Sequence, residues 1–206
     1  MSNKSIDLIQ IVKRAAIIVL AVAVGIGLGF FITNYETRYL LNRKFCGTYR
    51  GIDVYKSGEI NADNFVAHAH VLESAPDILV NACTEMYFTG EDLDIPVAGK
   101  LGGKALGITQ GSVIYISTDS FNADVILHEL FHAYDNANEK ISESEEFVRI
   151  MEKERNDVYV ELLDEETYSA EYFAVAGAEY LLEPYVLQHY APETYDFIDK
   201  LIGYYE

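Results

Sequence analysis

Residues Ala15–Thr33 read AAIIVLAVAVGIGLGFFIT, nineteen residues without a charge. A helix rises about 1.5 Å per residue, so this stretch would span about 28 Å, close to the hydrocarbon thickness of a bilayer. A helix apolar on every face has no place on the surface of a small soluble domain. The expectation is a single transmembrane anchor over 15–33. Its end, Gly-Phe-Phe-Ile-Thr-Asn-Tyr, is a poor small-x-small cleavage site, so the segment reads as retained rather than removed. Lys13 and Arg14 lie flush against its N-terminal end, which puts residues 1–14 in the cytoplasm and the rest of the chain outside, as a single-pass membrane protein with an extracellular domain. Residues 34–45 then read as a juxtamembrane linker and 46–206 as one domain.

Charge divides along the same line. Residues 1–44 hold six basic and two acidic side chains, a net of +4, which leaves −22 on residues 45–206 of a chain whose total is −18. A body that acidic is repelled by phosphate backbones, so nucleic acid is excluded as a partner and a basic or neutral one is favoured. The bilayer is the second expected partner, through the anchor. Cys46 and Cys83 are the two cysteines; they suffice for one disulfide but not for a four-thiolate zinc site.

The body reads as α+β. GTYRGIDVYKSG (47–58) alternates like strand with glycine at the turns, and NADNFVAHAHVLESAPDILVNAC (61–83) reads as helix broken near Pro76. TEMYFTG (84–90) is a short strand. KALGIT and SVIYIST flank Gln110-Gly111, the pattern of a hairpin. Helices follow. One is capped by Asn122 or Asp124 and runs through Asn136; one carries a Ser142/Glu145 capping box; one spans about 167–183; and one begins at Pro192.

The chemistry sits in the first of these helices, in Asp124–Asp135, DVILHELFHAYD. His128 and His132 are four residues apart, hence one turn apart on one helix face, where two imidazoles can converge on a single Zn²⁺. Glu129 adjoins the first of them and reaches a water that zinc makes more acidic, so it can act as general base in attack on a carbonyl. Val125, Ile126, Leu127, Leu130 and Phe131 supply the apolar face that would bury the helix. His68 and His70, two apart on a helix, read as surface residues, and His189 as structural.

A catalytic zinc needs a third protein ligand and one open position. The metzincin pattern is excluded, because Asn138 stands where its third His would be. Asp135 suits a supporting hydrogen bond better than ligation. The following helix, TYSAEYFAVAGAEYLLEP, offers Glu171, Glu179 and Glu183. Its small residues Ala170, Ala174, Ala176, Gly177 and Ala178 would let it approach the first helix closely.

HELFHAYD (128–135), AEYFA (170–174) and APETYDFI (191–198), in that order, resemble the catalytic domain of anthrax lethal factor and its smaller relatives, the Pro-Pro endopeptidases. The resemblance covers about residues 60–206. It implies a small zincin-like domain: a short mixed sheet with SVIYIST as edge strand, then the active-site helix and C-terminal helices. It implies that His128, His132 and Glu171 bind one zinc per chain and that Glu129 is the catalytic base. Val175 stands where the family has an acid, and Asp164 where it has a tyrosine; Tyr168, one turn before Glu171, is the nearest substitute. A frame shifted by eight residues would instead make Glu179 the ligand.

The activity implied is that of a membrane-anchored, gluzincin-type zinc endopeptidase acting on extended, Pro-containing peptides or proteins laid beside Ser112–Ser117. The alternative is an anchored binding module that keeps the fold and hydrolyses nothing.

Overall fold

The structure is a computed structural model that describes residues 43–91, 93–97, 100–156, 158 and 168–203. The anchor expected at 15–33, and the linker as far as residue 42, lie outside the described residues. Among those described, no helix is long and apolar enough to cross a membrane.

Alternation builds the sheet. In β2 (Ile52–Ser57), β3 (Glu85–Thr89) and the strand Val113–Ser117, every second residue points to one face. The parallel register sets Val54, Met86 and Ile114 side by side, and these lie in the hydrophobic core. The next row, Tyr55, Tyr87 and Tyr115, occupies the opposite face, with ring centroids 4.9 and 5.1 Å apart. β1 (Arg43–Tyr49) pairs antiparallel with β2, so the strand begins inside the stretch read as linker. β4 (Leu93–Val97) and β5 (Lys100–Ala105) form a separate antiparallel pair. β6 (Gly107–Gln110) turns at Gly111, whose φ is +61°, and returns as β7 (Val113–Ser117), the hairpin expected from sequence.

The order of the five-stranded sheet is β1-β2-β3-β7-β6. This corrects one expectation. The run SVIYIST is not an edge: β7 is bonded to β3 on one side and β6 on the other, and β6 is the outer strand. Local alternation cannot reveal this, because strand order depends on how β3 and β7 meet across the 23 residues between them.

A parallel β2–β3 pair needs a crossover. It comes from α1 (Ala62–Ser74) and α2 (Asp77–Val80), separated by extended backbone at Ala75 and Pro76. Asn61 caps α1 by accepting from the amides of Asp63 and Asn64 at 3.1 and 3.2 Å. His68 departs from the surface reading. It is fully buried with Leu72 on the face of α1 that packs inward, its ring 5.0 Å from that of Phe121. His70, on another face, stays exposed beside Glu73.

α3 (Ala123–Ala137) carries the histidine motif and buries Ile126, Leu127, Leu130, Phe131, Ala133 and Tyr134. Beyond it, Ser144 rather than Ser142 caps α4 (Glu145–Glu154), accepting from the Phe147 amide at 3.2 Å. Ser142 is taken up instead by Asp135, whose carboxylate accepts from its amide and its hydroxyl, both at 2.8 Å. α5 (Tyr168–Leu182) lies against α3 so closely that a Cβ on Gly177 would fall 2.5 Å from three atoms of the Phe131 ring. Phe173 stands edge-on to Phe131 and to Phe147 of α4, with centroids 5.6 and 5.2 Å apart.

A short helix not anticipated from sequence, α6 (Pro184–Tyr190), precedes α7 (Pro192–Ile202). Both open on proline, whose fixed φ and missing N–H suit a first turn. Ala191 offers α7 no cap. Glu154 does so from α4, accepting from the Glu193 and Thr194 amides at 3.0 and 2.9 Å and from the Thr194 hydroxyl at 2.8 Å. That buried carboxylate also sits where the helix dipole favours negative charge. Cys46 is exposed and Cys83 buried, and both are free thiols.

Candidate metal centre

Two turns of α3 and the first turn of α5 bring three donors together. His128 Nε2 and His132 Nε2 are 2.9 Å apart. Glu171 places Oε2 3.4 Å from the former and Oε1 3.5 Å from the latter. With ligand bonds of about 2.0 Å, the edges of a tetrahedron around zinc measure about 3.3 Å, so the spacing and the N, N, O donor set fit that ion. The three side chains are 22%, 16% and 22% exposed, so the cluster opens to solvent on one side, as an incoming substrate requires. These three are a group able to hold a metal among the described residues.

Burial alone would raise the Glu171 carboxyl. Hydrogen bonds and charge from His128 and His132 outweigh it and hold the group well below the usual carboxylate range. Glu179, the alternative in the shifted frame, does not join the cluster; it lies eight residues on, about 12 Å along α5. Its carboxyl is raised, by burial and by the neighbouring charge of Glu183. The close fit of Gly177 on Phe131 brings α5 near to α3, and Glu171 is the glutamate of α5 that lies beside the histidines.

Glu129 is buried, 6% exposed. Burial pushes its carboxyl up to about 7, against the opposing effects of His128 and of a hydrogen bond from Thr109. That bond runs from Thr109 Oγ1 on β6 to Oε2 at 2.6 Å. Gly107, two residues earlier on β6, lets the strand backbone approach, since a Cβ there would lie 2.6 Å from Glu129 Cγ and Oε1. The far end of the hairpin is tied down as well, with Asn136 Nδ2 of α3 donating to the Gly111 carbonyl at 3.1 Å. Sequence reading did not single out Thr109 or Gly107. Their i, i+2 spacing marks one face of a strand, but nothing local says that this face meets α3.

Tyr168 is directed elsewhere: its hydroxyl donates to the Arg155 carbonyl at 3.3 Å, and the Arg155 guanidinium lies 4.9 Å from its ring centroid. Asp135 stands apart from the donor cluster, holding the turn after α3 through Ser142.

A helix bearing two histidines and a glutamate beside a mixed sheet, with a carboxylate from a following helix, defines a metallopeptidase of the zincin kind. A family model described as anthrax toxin lethal factor, N- and C-terminal domain, matches residues 89–201. The chain therefore belongs to the lethal factor family of zinc metallopeptidases, and it is a metalloendopeptidase by class. Among solved structures it is similar to the Pro-Pro endopeptidase PPEP-2 from Paenibacillus alvei, with 23% identity and a TM-score of 0.53 over 72% of this chain and 96% of that one. This likeness bears on the fold. No curated protein matches the chain.

Proposed function

We propose that this protein is a membrane-anchored zinc endopeptidase with one zinc per chain, held by His128, His132 and Glu171. The observation that carries this reading is the convergence of those three donors at tetrahedral spacing beside the buried Glu129. Bound zinc would polarise the scissile carbonyl and make the attacking water more acidic. Glu129 takes the proton from that water on its carboxylate and passes it to the departing amine nitrogen. The substrate lies extended along the outer edge of β6, adding a strand through main-chain hydrogen bonds. The likeness to a Pro-Pro endopeptidase extends the proposal to Pro-containing peptides, and the acid-rich body to substrates with basic residues. Residues 15–33 would anchor the chain, with 34–42 as linker and the catalytic domain, which begins with β1 at Arg43, on the outer side.

The test is zinc analysis and peptide-library cleavage by the full-length protein in detergent, alongside three variants. One zinc per chain is expected, lost in Glu171→Ala, kept in Glu179→Ala, and kept without cleavage in Glu129→Ala. Absence of zinc from the wild type refutes the reading. Zinc without cleavage of any peptide would favour the anchored binding module. Sidedness is read at Cys46, the exposed thiol: a membrane-impermeant maleimide should label it on intact cells, and a Cys46→Ser variant should not react.

A further inference from the structure

We infer that Thr109 is a positioning residue for Glu129, and that the outer strand β6 aims the carboxylate; this rests on the reading of Glu129 as general base. Thr109 Oγ1 is 2.6 Å from Glu129 Oε2 and 3.0 Å from the Glu129 carbonyl oxygen. A threonine hydroxyl has one proton to donate. The shorter contact, to a group that carries charge, takes it. Thr109 itself is only partly buried, so water could satisfy its hydroxyl. Glu129 is 6% exposed, and it is this carboxylate that needs a donor from the protein.

The second constraint is steric. Gly107 shares the face of β6 that carries Thr109. A Cβ there would meet Glu129 Cγ and Oε1, each at 2.6 Å. One carboxylate oxygen is thus tied to Thr109 while the other rests against bare backbone. With the side chain bounded on both sides, its plane is set before any substrate arrives. The same strand offers the main-chain edge on which the proposed substrate lies, so removing the hydroxyl should leave that binding edge intact while releasing the base.

The experiment compares full-length wild type with Thr109→Val, Thr109→Ser, Thr109→Ala and Gly107→Ala. It reads zinc content, kcat and KM on a peptide that the wild type cleaves, and the Glu129 side-chain position in crystal structures. Thr109→Val should lower kcat about 10- to 100-fold with KM within about twofold, because proton transfer depends on alignment and strand pairing does not. Zinc content should be unchanged and the Glu129 carboxylate displaced. Thr109→Ser, which restores the donor, should recover kcat to within about threefold of wild type. Thr109→Ala stands in if the valine fails to fold, and Gly107→Ala should displace Glu129 with the hydroxyl still present.

The inference is overturned if Thr109→Val keeps both its kcat and the Glu129 position, or if serine does no better than valine. If the wild type binds zinc and cleaves nothing, the proposed function fails. The crystal structures then decide the positioning role alone: a displaced carboxylate in Thr109→Val supports it, and an unmoved one refutes it.

Discussion

Gly177→Ala sets two effects of known sign against each other. In an unconstrained helix interior the change stabilises by about 1 kcal/mol, through lower chain entropy in the unfolded state. Here the new methyl would lie 2.5 Å from Cγ, Cδ1 and Cε1 of Phe131, whose side chain is fully buried. Carbon atoms rest at about 3.5–4.0 Å, so about 1 Å must be found by moving a ring already packed against Phe173. Overpacking of that kind costs about 1–3 kcal/mol. Overpacking wins, and the variant should be destabilised by about 1 kcal/mol, a fall of about 2–4 °C in Tm.

The centre should suffer more than the fold. Glu171 lies six residues, about 9 Å, along α5 from Gly177, and His132 adjoins Phe131. A shift of α5 by several tenths of an ångström would exceed the tolerance of about 0.2 Å for a zinc bond. Zinc affinity should therefore fall about tenfold or more, as when the groups that orient metal ligands are disturbed. Urea denaturation of the metal-free protein and zinc titration against a competing chelator measure the two effects. Phe131→Leu in the same background should relieve the clash, with a coupling of about 1 kcal/mol between the two sites. Stabilisation by Gly177→Ala with unaltered zinc affinity would refute the reasoning, because it would mean that the α3–α5 contact does not set the geometry of the donors.

Other perturbations test the remaining links. Glu154→Ala would strip the acceptor from two amides and a hydroxyl at the start of α7 and should destabilise by about 2–4 kcal/mol, read by chemical denaturation, with Lys153→Ala as a surface control. Burial lowers the His68 pKa below 6.5, with the backbone at Ser120 and Ser117 partly opposing. The unfolded chain therefore binds a proton that the folded His68 resists, and stability should drop as pH falls below about 6.5. His68→Leu should flatten that slope in unfolding curves at pH 5.0 and 7.5; an unchanged slope would show that other groups govern it. Chelation should lower the Tm of the wild type but not of Glu171→Ala, since a metal stabilises only the state that binds it.

Much of the fold was legible because its signals are local. The break near Pro76, the helix start at Pro192, the hairpin at Gly111 and the apolar face of α3 each depend on residues a few positions apart. The errors fall where a second segment decides. Ser142 satisfies a capping-box spacing, yet Asp135 claims it from the preceding helix. His68 is polar and lies two residues from an exposed His70, yet α1 turns it toward Phe88 and Phe121. Pro184 opens α6 with the same first-turn signature that Pro192 gives α7.

At the site, His128, Glu129 and His132 lie within five residues of one helix, so a period of 3.6 suffices to put the two imidazoles on one face. The sequence by itself therefore determined that two imidazoles and an adjacent carboxylate share this helix, and that a third donor to any metal there must come from elsewhere. Glu171 and Glu179 differ by just over two helical turns, and both satisfy the periodicity of α5. Only the tertiary structure places Glu171, and not Glu179, beside the two histidines, because the approach of α5 to α3 joins segments distant in sequence. It also decided that β6, rather than β7, is the outer strand and faces Glu129, because strand order follows from pairing between distant segments.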